Sequence, residues 1–253
     1  MYSVQISLPP TPQLRDVHLR SMKASDICLP WSQLTSLSLY GITIPNVVAI
    51  LRLTPNIVTV HVSSVIQDSR PPGTIIELSH LRTITTFSLD LLPHLKAPAL
   101  EELDIHGFDQ NTVYVLKYFI ERSRSPIHTI RLREGTVGAV WQAEGCMRLV
   151  PLLRHFSLSG VSCGSREWKT VLGRIAEREI LPAVESLTFT DCGIPIQYIA
   201  TMLTARAERE EGRITAFRYI PCEDDGDVDE SLAMLRELRS RGMLIDIGWG
   251  DMV

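Results

Sequence analysis

Long apolar runs are missing from this 253-residue chain, and none approaches the roughly 20 residues a helix needs to span a bilayer. The segment from Met1 to Pro10 lacks the basic flank and extended apolar core of a secretory signal. The five cysteines (Cys28, Cys146, Cys163, Cys192 and Cys222) are odd in number, widely spaced and without a C-x-x-C pair. A disulfide framework or zinc ribbon needs closer, paired spacing, so buried or half-buried thiols in a reducing compartment are predicted. Neither sign of charge dominates. A formal net charge of −4 argues against a general binder of phosphate backbones. The G-x-S-x-G, phosphate-loop, G-x-G-x-x-G and H-E-x-x-H patterns are all absent. These absences predict no enzyme activity, no cofactor, no metal, no nucleic-acid or membrane partner, and a cytoplasmic or nuclear location.

What the chain does have is a repeated string: an apolar residue, two variable positions, an apolar residue, one variable position, and usually a third apolar. It begins at Leu14, Leu34, Ile57, Leu81, Leu100, Ile127, Leu153, Val184 and Ile214. Leu34-Leu37-Leu39 and Val184-Leu187-Phe189 are complete copies, whereas Leu81-Ile84 is weak because Thr86 takes the third place. The starts lie 19 to 31 residues apart, and Pro12, Pro55, Pro98, Pro151 and Pro182 each stand two positions before a start. Proline there ends the preceding segment and suits the entry to a strand. An L-x-x-L-x-L core recurring at about 20–29 residues is the signature of a leucine-rich repeat. The predicted fold is therefore α/β: a single solenoid or horseshoe over residues 1–253, with about nine irregular repeats, a parallel concave sheet and convex helices.

Helices are predicted between the strands, over Pro45 to Thr54, Asn111 to Ser123 with Asn111 as the cap, Ser165 to Glu179, Pro195 to Glu211 and Asp229 to Arg241. Leu244, Ile245 and Ile247 read as a short closing strand. Two irregular insertions interrupt the rhythm, a polar Pro/Gly loop near residues 67–74 and a stretch around Trp141 at 134–147. The five acids between Glu223 and Asp229 read as a solvated loop, and the Gly160 to Ser165 stretch around Cys163 as a turn from strand to helix.

Several strings resemble mushroom-type (basidiomycete) fungal F-box proteins. Leu29-Pro30-Trp31-Ser32-Gln33-Leu34-Thr35-Ser36-Leu37 is similar to their LPW-x-Q-L-T-x-L segment. Ala97-Pro98-Ala99-Leu100-Glu101-Glu102-Leu103, Phe119-Ile120-Glu121-Arg122-Ser123 and Leu181-Pro182-Ala183-Val184-Glu185-Ser186-Leu187 also look like theirs, in the expected order. The resemblance implies the substrate-recognition solenoid of a ubiquitin-ligase adaptor. Such proteins carry a helical F-box before the repeats, and nothing from Met1 to Thr11 reads as one. The chain is then expected to be a fragment lacking that module or a member that has lost it. Skp and cullin partners are expected only if an F-box is supplied elsewhere.

Side chains alternate along a strand, so the variable positions of the repeated string should project onto the concave face. The residues predicted to meet a protein partner there are Asp16, His18, Arg20, Tyr40, His61, Glu102, Asp104, His106, Arg131, Arg133, His155 and Arg218. His18, His61, His106 and His155 fall in alternate repeats. Their strands would lie roughly 10 Å apart, too far to share one metal. The acidic pair Glu102/Asp104 and the basic pair Arg131/Arg133 either neutralise each other across strands or provide charge complementarity to a partner. Tyr40, Arg131 and Arg133 are the expected anchors, since Tyr and Arg are enriched in binding hot spots. The alternative reading is a non-ligase scaffold or a self-associating leucine-rich-repeat protein.

Overall fold

The computed structural model describes residues 6–7, 13–63, 74–135, 139–161, 164–209, 214–221 and 229–248. The chain divides into two compact units, Met1–His106 with Tyr114–Pro126, and Gly107–Val113 with Ile127–Val253. Both are α/β, and in each the apolar residues of the repeated string form the buried side of a parallel sheet. No helix among the described residues is long and apolar enough to cross a membrane.

In the first unit, strands β2 (Asp16–Arg20), β4 (Ser36–Tyr40), β5 (Thr59–Ser63), β7 (Thr83–Thr86) and β9 (Glu102–His106) lie side by side and parallel. Two short parallel pairs accompany them: β1 (Ile6–Ser7) with β3 (Ile27–Cys28), and β6 (Ile76–Glu77) with β8 (Leu95–Lys96). Helix α1 is Ile44–Leu53, with Pro45 in its first turn, where its missing N–H costs nothing. In α1, Ile44, Val47, Val48, Ile50 and Leu51 are buried. Helix α2, Thr112–Ser123, belongs to this unit from Tyr114 onward.

The second unit repeats the arrangement with β10 (Thr129–Arg133), β11 (His155–Ser159), β12 (Ser186–Thr190), β13 (Ala216–Ile220) and β14 (Leu244–Ile247). Helices α3 (Ala139–Leu149), α4 (Ser165–Ala176), α5 (Ile196–Ala207) and α6 (Asp229–Ser240) pack successively against one another.

The spacing of the apolar positions explains this layering. The first apolar of eight of the nine strings, from Leu34 to Ile214, is buried at 3% exposure or less, and only Leu14 is half-exposed. Thr86 fills the third apolar place of the weak copy and is fully buried. Its hydroxyl donates to the Ser88 carbonyl at 2.8 Å and accepts from the Ser88 N–H at 3.1 Å, which offsets the cost of desolvating it. Tyr219 occupies the equivalent place in β13, and its hydroxyl donates to the Ile194 carbonyl at 2.6 Å.

Backbone hydrogen bonds follow the same rhythm. One carbonyl accepts two successive N–H groups at the entry of the next strand: Arg15 from Thr35 and Ser36, Thr35 from Val58 and Thr59, His128 from Arg154 and His155, and Arg154 from Glu185 and Ser186. At the other end, the residue after a strand turns into positive φ and donates to the last carbonyl of the following strand. Ser21 does so to Tyr40, Glu134 to Ser159 and Asp191 to Ile220. Gly160 occupies this place after β11 at φ 66°, where an added Cβ would meet the Glu134 backbone at 3.3 Å.

Sequence and structure differ at several elements. The 134–147 stretch is mostly helix α3 and not an irregular insertion: Val140, Ala143, Cys146 and Met147 are buried on one face, and Trp141 stays 43% exposed. The periodicity is hidden there because buried Glu144 shares the inward face. Its Oε1 accepts from Arg148 Nε at 2.9 Å and from Arg174 on α4. Just before α2, the Asn111 N–H donates to Asp109 Oδ1 at 2.8 Å, and the Asp109 N–H donates to Thr112 Oγ1 at 2.8 Å. The predicted loops at 67–73 and 223–228, together with Cys163 and Cys222, fall outside the described residues.

Two arginines, half-buried Arg122 and buried Arg206, reach back across a neighbouring segment. Arg122 on α2 donates to the Leu92 and Leu95 carbonyls at 2.8 and 2.9 Å. Arg206 on α5 is fully buried and donates to the carbonyls of Ile175 and Leu181 at 3.2 and 3.3 Å. Burial, with Arg178 and Arg209 nearby, brings the Arg206 guanidinium down to about 10, so it stays protonated at neutral pH. Replacing it leaves buried carbonyls without a donor. Arg206→Leu is therefore expected to cost about 2–4 kcal/mol, read as a lower urea midpoint at unchanged slope.

Candidate functional site

Alternation along the strands sets up a half-exposed face on each sheet. In β5 and β12 the second and fourth residues are buried, and the others line the open face. Because the pairing is parallel and in register, open-face residues of successive strands fall into rows. In the first unit the middle row runs His18, Ser38, His61, Thr85 and Asp104. The row at the strand ends begins Arg20, Tyr40 and Ser63, and continues through Phe87, just past β7, to His106 at the end of β9.

Four rings from these two rows meet in one ridge. Tyr40 and His61 have centroids 5.5 Å apart and are tilted. His61 and Phe87 meet edge to face at 5.9 Å. Phe87 and His106 stack at 3.8 Å with 17° between their planes. Residue size explains the path: Ser63 leaves a gap in the end row, and small Ser38 and Thr85 flank His61 in the middle row. The imidazole of His61 fills the space between Tyr40 and Phe87. Contacts of this kind contribute roughly 0.5–1.5 kcal/mol each beyond the area they bury.

Burial lowers the affinity of His61 for a proton below the ordinary value, the Asp104 carboxylate works the other way, and His18 adds to the lowering. The ridge is thus uncharged at His61 at neutral pH. On its flank, His106 Nε2 lies 3.6 Å from Asp104 Oδ1.

The structure brings Tyr40, His61, Asp104 and His106 together but distributes the other predicted residues. Asp16, His18 and Arg20 are exposed on β2; His18 Nε2 lies 3.7 Å from Asp16, whose carboxylate accepts from Ser36 Oγ at 2.9 Å. Glu102 is half-buried on β9, and Asp104 lies on the same face but is only 8% exposed. Ser38, opposite His61, is likewise 8% exposed. Arg131 and Arg133 are half-buried on β10. His155 is exposed on β11, its ring 6.4 Å from that of His128. Arg218 pairs with Asp246 at 3.2 Å beside an open depression of about 520 Å³ along β13 and β14.

Phe87 is the residue that the sequence analysis missed. It directly follows the third position of the weak Leu81-Ile84-Thr86 copy, the offset at which Tyr40 and His106 follow Leu39 and Ile105. A prediction that carried this offset through the imperfect copy would have found it.

Among the described residues, no group of three His, Cys, Asp or Glu side chains is arranged to hold a metal ion. The Cys146 thiol is buried and pushed up to about 12, so it is protonated at neutral pH. No protein-family model matches this sequence, and no curated protein matches it.

Phe87 is 42% exposed, so its removal is expected to change the ridge more than the fold. In Phe87→Ala the His106 ring protons should lose their ring-current shift, while stability falls by no more than about 1.5 kcal/mol. Proton NMR and a urea titration check the two expectations.

Proposed function

We propose that the chain is a leucine-rich-repeat solenoid that acts by binding a protein on its open sheet face, without chemistry of its own. The recurring strand-entry and strand-exit hydrogen bonds favour a repeat architecture, because they recur with the apolar string. The observation that carries the binding role is the Tyr40–His61–Phe87–His106 ridge. Core packing does not require aromatic rings on that face, where small hydroxylic residues fill most neighbouring positions. Phe87 in particular is a large apolar side chain left 42% exposed among them. Rigid, partly exposed aromatic side chains anchor protein interfaces at low entropic cost.

The strings shared with fungal F-box proteins give this role its form: recognition of a ubiquitin-ligase substrate, coupled to Skp and cullin through an F-box supplied elsewhere. A second reading, a self-associating scaffold without a ligase, is favoured by one observation. Strand β14 stands last in the strand order, with Leu244 73% exposed beside the depression near Arg218. A concentration-dependent mass in light scattering would support that reading.

The ridge is tested by affinity capture from native cell extract with two baits, the parent and a Tyr40→Ser/Phe87→Ser double variant shown by circular dichroism to be folded. The expected outcome is a set of proteins retained by the parent and depleted at least tenfold on the variant. Equal retention by both baits would remove the ridge from the binding surface.

A further inference from the structure

We propose that His61 is the pH-responsive element of the ridge: its neutral form completes an uncharged strip between Tyr40 and Phe87, and its protonation places a cation mid-strip and releases a partner that covers it with uncharged side chains. This regulation rests on the binding role proposed above.

The geometry supports it from several sides. His61 is the central ring, within 6 Å of both Tyr40 and Phe87 by centroid distance, so a charge there lies beside both neighbours at once. On β4, Tyr40 contributes a neutral phenol ring and Ser38 a hydroxyl. On β7, Phe87 and Thr85 carry no titratable group. On β2, His18 disfavours a second positive charge, with Asp16 and Arg20 to either side of it on the same strand. On β9, the Asp104 carboxylate favours the cation, and His106 closes the far end of the strip against Phe87. Burial outweighs Asp104, and the proton is held less tightly than at the usual 6.5.

Two consequences follow by linkage. The unfolded chain binds this proton more readily than the folded one. The stabilisation from neutral His61 is therefore complete above pH 6.5 and declines as pH falls through the lowered folded value. A partner surface that covers His61 without offering a carboxylate buries the ring further and disfavours its charge more. By reciprocity, protonation weakens that partner's binding.

The test is an NMR titration of the full chain from pH 8 to pH 5, following the imidazole carbon-bound protons. His61→Asn identifies the His61 signal. The expected result is a His61 midpoint below 6.5, with the Tyr40 and Phe87 ring signals shifting at that same midpoint. In Phe87→Ala the midpoint should rise toward 6.5, because a desolvating ring is gone. A midpoint at or above 6.5 in the parent overturns the proposal, as do neighbouring rings that do not follow it. A midpoint unmoved in a folded Phe87→Ala chain overturns it too. No partner enters this titration, so it can fail while capture through the ridge succeeds, and the reverse.

Discussion

The parallel, in-register pairing of the strands is the constraint on which the rest depends. Each sheet residue has one direct neighbour on the next strand, as in Ser38 opposite His61 and His61 opposite Thr85. A slip of one residue would turn every core Leu, Ile and Val to the open face and every Ser, Thr and His inward. With one face largely buried, that slip is prohibitively costly, so the apolar string fixes the register and the register fixes the rows. The ring ridge is then a by-product of what stands at neighbouring row positions. Residues as distant in sequence as Tyr40 and His106 belong to one surface because each is tied to its strand by the same offset.

Connecting segments carry their own solution to the polar backbone that such a layout buries. A strand that enters a sheet from a loop leaves carbonyls behind, and these are met from three directions. Twin N–H groups at strand entries take one set, and positive-φ residues such as Ser21 and Asp191 another. Long arginine side chains take others, with Arg122 gathering two carbonyls and Arg206 three from a segment about one string earlier. Arginine suits this task because it stays charged when buried and presents several donors in a fixed plane. Helix α3 is tied in by related means, through buried Glu144 and two arginines from its own helix and the next.

Much of this was legible in the sequence. The apolar string located the main strands, and proline and capping signals located α1, α4, α5 and α6 to within a few residues. Helix α3 was not legible, because Glu144 on the inward face and exposed Trp141 disrupt its apolar stripe. The carbonyl-binding roles of Arg122 and Arg206 were equally hidden, since an arginine near a helix end usually reads as a solvated charge. Alternation alone placed Tyr40, His61 and His106 on the open face. Phe87 was lost because Thr86 spoiled its copy of the string, although the hydroxyl of Thr86 is satisfied locally and leaves the strand intact. Burial of Asp104 was not foreseeable from alternation, which gives the face of a residue and not how far neighbouring side chains cover it.

The central claim is that strand register gathers distant rings into one continuous ridge. Interproton NOEs between ring protons test it directly in solution. Cross-peaks are expected for Tyr40–His61, His61–Phe87 and Phe87–His106, strongest for the last pair at 3.8 Å, with none between Tyr40 and His106. Absence of the His61–Phe87 and Phe87–His106 peaks in the folded chain would contradict the register, and with it the surface on which the functional reading stands.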